Sequence, residues 1–381
     1  HTKVGTPLEI ASAFSDNVFK ADSNAFSQWI RHIARIDKQE GTVIMIQIEN
    51  EIGMLNGPRD YSEIANKLYN SEVPSIFINY LEKNKETLHP DMLKKWEEHG
   101  CKTRGNWSTL FGDDIYTEEI FTAWNYGLYV EKMAQVARSI YNIPLYVNAA
   151  MNSRNRKPGE YPSGGPLAHL IDVWHCAAPS IDFLAPDLYD LNFQGLVSRY
   201  KRVNNPLFIP EIRLENNDGV RSFFVFGEYD AIGFSPFSIE DISKTDQSSL
   251  IKAYSKLKEL SPLLLKMQGK KQMNGFLFNQ ENKERILVRD GYRFICRHYY
   301  TLPWDPRAFD GSKWPEGGGL IINLAKDEYL IASSGLVISF EKEKEHYSVL
   351  DQNIGEDGFV KEGNNSEKPK FWKGGTKIGI A

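Results

Sequence analysis

Five short apolar runs, at residues 43–50, 145–149, 182–189, 207–212 and 231–237, constrain the fold more than any other feature of the chain. They are apolar nearly throughout and do not alternate. A strand of that kind needs cover on both faces, as in a parallel sheet lying between helices. Stretches with helical periodicity fill the gaps. Residues 25–36 place Phe26, Trp29, Ile30 and Ile33 at helical spacing, and 118–141, 167–175, 193–200 and 248–260 read similarly. Strands alternating with helices predict an α/β layout around a parallel sheet. Residues 53–117 form a long insertion between the first two runs, with helical pieces at 61–68, 75–84 and 90–97 and aromatics such as Trp107. Long loops at the C-terminal ends of parallel strands are where such folds build clefts.

Past residue 265 the pattern changes. Residues 266–273 are polar and read as a linker, and short strand-like runs with turns follow at 275–278, 285–289, 292–298, 319–324, 328–333 and 335–341. That spacing predicts an antiparallel β-sandwich. The glycine-rich, charged stretch 353–376 reads as loop and edge. The expected division is therefore 1–265 and 274–381, and 381 residues suffice for two domains with substantial cores.

Composition removes several classes of function. A net charge of −5 with no basic cluster argues against nucleic acid and against an anionic membrane as partners. No apolar run approaches the length of a membrane span. The three cysteines, Cys101, Cys176 and Cys296, are far apart and form no CxxC pair, so neither a metal cage nor a disulfide framework is expected. The chain opens on His1 with no charged stretch leading into an apolar one, which implies a removed leader or a start further upstream.

Two strand ends carry the chemistry. In Gln47-Ile48-Glu49-Asn50-Glu51-Ile52-Gly53, polar residues close an apolar strand. Carboxylates are costly in such a place unless paired or functional. Two-residue alternation puts Gln47, Glu49 and Glu51 on one side and Asn50 on the other, until the strand end bends. In Phe208-Ile209-Pro210-Glu211-Ile212-Arg213 a carboxylate again ends an apolar strand, after a proline that removes a backbone donor. Two carboxylates at the ends of two different parallel strands suit glycoside hydrolysis, one protonating the leaving oxygen and the other attacking the anomeric carbon or activating water.

At these residues the chain resembles family 35 glycoside hydrolases, the β-galactosidases of the large retaining (β/α)8 clan. The likeness rests on "QIENEIG" at 47–53, "NPLFIPEIR", "FGEYDAIGFSPFSIEDI" and "YTLPWDPRA", which together are similar to a bacterial subgroup and span most of the chain. It departs at Gly41-Thr42-Val43, where the usual signature opens Gly-Gly-Pro, and at Ile52, usually aromatic. The resemblance implies a (β/α)8 TIM barrel of which this chain carries strands four to eight, followed by the sandwich. It implies that Glu51 is the acid/base, Glu211 the nucleophile, and Asn50 the residue that binds the sugar 2-hydroxyl. Tyr189, ending the sixth barrel strand in "APDLYD", is a candidate partner for the nucleophile. Asn148, ending the fifth, is a candidate contact to sugar or acid/base, and Phe237, ending the eighth, a candidate sugar platform. Asp187 reads as a structural partner, and Trp174-His175 as structural.

The activity so implied is cleavage of terminal β-galactosides by a retaining double displacement, with no cofactor and no metal. Rival readings are another retaining clan glycosidase and a non-catalytic carbohydrate-binding fragment. The implied partners are an oligosaccharide or polysaccharide substrate and, for barrel strands one to three, a second chain or an upstream segment; a homo-oligomer is compatible with this reading. The implied location is periplasmic or extracellular.

Overall fold

A computed structural model describes residues 1–150, 155–242, 249–342, 345–350, 359–360 and 376–379. The stretch 353–376, read above as loop and edge, lies outside the described residues apart from 359–360 and 376. The chain divides into two compact units, His1–Glu211 and Ile212–Ala381.

The first unit opens with α1 (Asp16–Asp37), where the Ser15 hydroxyl accepts from the backbone N–H of Val18 at 3.3 Å and so caps one of the unpaired donors of the first turn. It continues with β1 (Ile46–Gln47), α2 (Glu63–Tyr69), α3 (Ser75–Lys83), α4 (Pro90–Glu97), α5 (Trp107–Phe111) and α6 (Ile115–Ile140). Then come β2 (Leu145–Ala150), α7 (Ile171–Ala177), β3 (Phe183–Leu188), α8 (Phe193–Tyr200) and β4 (Phe208–Ile212). The 43–50 run contributes only two paired residues, far fewer than its apolar length suggests. The insertion forms the expected helices, but Trp107 is no cleft residue. It is buried with Phe77, Phe111, Phe121 and Trp124, whose ring centroids lie 5.6–6.4 Å from its own. The insertion thus packs on α6 through aromatics that belong to the main core of the first unit.

The second unit runs through α9 (Asp218–Tyr229), β5 (Gly233–Pro236), α10 (Ser249–Met267), β6 (Met273–Phe278), β7 (Glu284–Arg289), β8 (Tyr292–His298), β9 (Gly317–Ala325), β10 (Glu328–Ser334) and β11 (Leu336–Lys342), then β12 (Glu345–Leu350), β13 (Phe359–Val360) and β14 (Thr376–Gly379). The parallel sheet has the order β1-β2-β3-β4-β5, and its strand β4 is the one at which the two units divide. Two antiparallel sheets follow, β14-β10-β9-β6 and β13-β12-β11-β8-β7. Phe276, Phe278, Ile321, Tyr329 and Ile331 of the first share a core with Tyr292, Phe294, Cys296, Leu336, Ile338 and Phe340 of the second. Phe223 of α9 and Ala253, Leu257, Leu264 and Met267 of α10 form another core with Met273 of β6 and Leu320 and Ile322 of β9. Both helices therefore pack on an antiparallel sheet, and the boundary expected at 265–274 falls inside the second unit. Among the described residues, no helix is long and apolar enough to cross a membrane.

Register decides which side chains in the parallel sheet meet. β1 pairs parallel with β2, Gln47 opposite Tyr146, and β2 pairs parallel with β3, Asn148 opposite Ala185 and Ala150 opposite Asp187. With a two-residue period, Tyr146, Asn148, Phe183 and Asp187 share one face. The rings of Tyr146 and Phe183 stack there at 5.4 Å. The loop into β4 is fixed by Asn205, which is fully buried. Its carboxamide accepts from Leu184 N–H at 2.8 Å and donates to the carbonyls of Leu184 and Tyr200 at 3.0 and 2.9 Å, taking the place of a missing strand residue. Asn205→Ala leaves these buried backbone groups unpaired and should destabilise the first unit by roughly 2–4 kcal/mol, read as a lowered urea midpoint of its unfolding transition.

Candidate active site

The segment bearing Glu51 is held by contacts that regular strand pairing does not supply. Ile48 N–H donates to the Tyr146 carbonyl at 2.9 Å, and there pairing with β2 ends. Glu49 and Glu51 both adopt left-handed backbone, with φ of 57° and 49°. The alternation of Gln47, Glu49 and Glu51 ends where the strand end bends, because a left-handed residue breaks the two-residue period. Each such residue costs a non-glycine roughly 1–2 kcal/mol, so surrounding contacts must over-determine it. Glu51 N–H donates to Asn148 Oδ1 at 3.0 Å, and Gln47 Nε2 donates to the Glu49 carbonyl at 2.9 Å and to Asn50 Oδ1 at 3.1 Å. Beyond Glu51, Met54 and Ser163 exchange backbone hydrogen bonds of 2.8 and 2.9 Å. Between them Gly53 passes so close to Pro162 that a Cβ would lie 2.5 Å from its carbonyl carbon.

Three carboxyl groups converge from three strand ends of the first unit. Asp187, on β3, is fully buried and receives a hydrogen bond of 2.6 Å from Asn148 Nδ2. The same amide nitrogen donates to Asn50 Oδ1 at 3.1 Å. Glu211, on β4, is partly buried and accepts from the Tyr189 hydroxyl at 2.7 Å. Burial raises the pKa of Glu51, the charge of Glu211 raises it further, and contact with Asp187 opposes them. Asp187 is pushed up to about 8, first by burial and then by the charges of Glu211 and Glu51, against the Asn148 hydrogen bond. Glu51's carboxyl stands near enough to Asp187 for the two to act on each other as hydrogen-bonding partners. Yet no hydrogen bond of good geometry reaches the buried Asp187 Oδ1. Burial and the bond to Glu211 push the Tyr189 phenol up.

Of the residues singled out in the sequence, Asn50, Glu51, Asn148, Tyr189 and Glu211 are thus linked in one unit, directly or through Asp187. Phe237 belongs to the second unit, just past β5, where its N–H donates to the Ile212 carbonyl at 2.8 Å and its side chain is exposed. Trp174 is buried and donates to the Gly164 carbonyl at 3.1 Å, and His175 Nδ1 lies 2.6 Å from Asn204 Nδ2. Sequence reasoning left Asp187 out of the cluster. The signal was there: one acid inside an otherwise apolar strand, where an unpartnered charge is expensive. Among the described residues no group of three or more His, Cys, Asp or Glu side chains is arranged to hold a metal ion.

Residues 250–367 match a family described as Domain of unknown function (DUF5597). The match covers less than half of the chain and excludes every residue of the carboxyl cluster. No curated protein matches the chain.

The close contact at Gly53 generates a stability prediction. Gly53→Ala forces a methyl into the Pro162 backbone and should destabilise the first unit by roughly 1–3 kcal/mol, seen as a lowered thermal midpoint by circular dichroism.

Proposed function

We propose that this protein is a retaining glycoside hydrolase acting on terminal β-galactosides, with Glu51 as acid/base and Glu211 as nucleophile. The observation that carries the reading is the convergence of Glu51 and Glu211, from the ends of separate parallel strands, on a site where the charge of Glu211 acts on Glu51. The two carboxyls differ in the way the reaction requires. Glu51 has its proton affinity raised by burial and by its neighbour, as suits a group that begins protonated. Glu211 receives a phenolic hydrogen bond, which stabilises an anion and orients one oxygen for attack.

On this reading the parallel sheet corresponds to strands four to eight of a (β/α)8 barrel, and the two antiparallel sheets form a β-sandwich. Glu51 protonates the glycosidic oxygen while Glu211 attacks the anomeric carbon and forms a glycosyl-enzyme. Esterification removes the Glu211 charge, so the proton affinity of Glu51 falls and it can take a proton from water in the second step. Asn50 binds the sugar 2-hydroxyl, and Asn148 holds the acid/base backbone.

The test is hydrolysis of nitrophenyl β-galactoside by the protein and by Glu211→Gln and Glu51→Gln. Glu211→Gln should abolish turnover, and Glu51→Gln should lower it by about 10²–10⁴-fold. Proton NMR of the first-formed sugar should show the β anomer. Substantial turnover by Glu211→Gln sinks the nucleophile assignment. Preference for another glycoside in a nitrophenyl panel would assign the site to another retaining clan activity. Galactoside binding without hydrolysis would favour a carbohydrate-binding protein.

A further inference from the structure

The proposed reaction accounts for Glu51, Glu211 and Tyr189 but gives no task to Asp187, the most buried carboxyl of the site. Asp187 sits on β3 with one oxygen held by Asn148 Nδ2 at 2.6 Å and the other, Oδ1, buried without a well-formed hydrogen bond. A bare carboxylate oxygen in that position forfeits its hydration for nothing. A protonated oxygen there is a donor, and the nearest use for a donor is the Glu51 carboxyl.

We propose that Asp187 is a positioning residue that holds one proton in common with Glu51, so that the pair and not Glu51 alone is the acid of the reaction. The inference rests on the glycosidase reading given above. Asn148 makes the arrangement rigid: its amide nitrogen holds Asp187 Oδ2, and its carbonyl oxygen receives the Glu51 backbone N–H at 3.0 Å. One carboxamide therefore fixes the distance between the two members of the pair.

The groups that act on Asp187 or respond to its charge come from every neighbouring element. They are Glu51 beyond β1, Tyr146 and Asn148 from β2, Tyr189 beyond β3, Glu211 from β4 and Tyr200 from α8. Burial, aided by the nearby carboxylates, pushes Tyr146 up to about 12, and Tyr189 and Tyr200 are also pushed up. The phenols stay neutral, and the carboxyls carry the titration. With Glu211 ionised, removing the last proton from the pair leaves three anions together. That repulsion, added to burial, holds the shared proton toward pH 8.

The protons balance through both steps. At rest one proton lies between Asp187 Oδ1 and the Glu51 carboxyl, and Glu211 is ionised. The proton passes to Glu51 and from there to the glycosidic oxygen. The C1–O bond breaks with its electron pair on the leaving oxygen, while Glu211 forms the new bond to C1. The pair then carries two negative charges, but Glu211 carries none, so the site's net charge is unchanged. In the second step water gives a proton to the pair, its oxygen joins C1, and the Glu211–C1 electron pair returns to Glu211.

Asp187→Asn tests this. The amide oxygen can keep the bond from Asn148, and the amide N–H mimics a proton fixed on residue 187. Glu51 then titrates beside one anion fewer. The alkaline limb of kcat/KM should move to lower pH by at least about one unit, a displacement that a purely structural role would not cause. A second readout needs no substrate: NMR of protein labelled with 13C at the aspartate carboxyls. The wild type should show a carboxyl titrating near pH 8 that is missing in Asp187→Asn and moves to lower pH in Glu211→Gln. An alkaline limb unmoved in Asp187→Asn, or a wild-type Asp187 already ionised at pH 6, overturns the proposal. These results are distinguishable from failure of the glycosidase reading. That failure appears as undiminished turnover in Glu211→Gln, or as no turnover with a shared proton still visible by NMR.

Discussion

The carboxamide of Asn148 has one acceptor end and one donor end, and three partners depend on it. Its oxygen receives the Glu51 backbone N–H, and its nitrogen donates to Asp187 and Asn50. Asn148 is fully buried, so its own oxygen or nitrogen left unpaired would bear a desolvation cost of roughly 1–3 kcal/mol. The amide cannot be turned over without setting oxygen against oxygen, which gives the site a single solution. The left-handed turn at Glu51 follows from this, since a backbone that stayed in the strand would present its N–H to β2 and not to a side chain. Aspartate at 148 would put an anion against Asp187, and leucine would strand both the Glu51 amide and a buried carboxyl.

The second unit shows a comparable division of faces. The β6/β9 sheet buries Leu320 and Ile322 against α9 and α10 on one side, and Phe276, Phe278 and Ile321 against the other antiparallel sheet on the other. Alternation along β9 accounts for this, because consecutive residues 320, 321 and 322 point to opposite faces. A sheet covered on both sides needs its helices as much as its partner sheet. The matched segment 250–367 accordingly opens within α10 and not at β6.

Much of this was legible because burial writes itself into composition. The runs at 145–149, 182–189 and 207–212 became β2, β3 and β4, and the alternating runs after 273 became β6 to β11, each within a few residues. In these strands the apolar run and the backbone pairing cover nearly the same residues. At 43–50 they do not. The residues are apolar because they are near the sheet, but pairing stops after Gln47 and contacts from Gln47 and Asn148 replace it. Side-chain substitutes for backbone partners leave no periodic trace. Helix α9 escaped notice for a related reason: Phe223, Phe224, Val225 and Phe226 form a continuous apolar run that reads as strand, and only packing on both β6 and β9 makes a helix of it. Trp107 misled in the opposite direction, since an aromatic in an insertion looks like a cleft residue until four other rings are found around it.

The carboxyl cluster violates the rule that buried charges come in opposite pairs, and the surrounding residues limit what that costs. Two of the acids accept from a neutral donor on a neighbouring element, Asp187 from Asn148 and Glu211 from Tyr189, and the Glu51 backbone is anchored to Asn148. Neutral donors stabilise an anion without fixing the total charge as an arginine would. An arginine at the position of Tyr189 would place a fixed positive charge beside the cluster and oppose the rise in proton affinity that burial and a neighbouring carboxylate give Glu51. Phenol and amide groups suit a cluster of like charges, because their own protons stay in place.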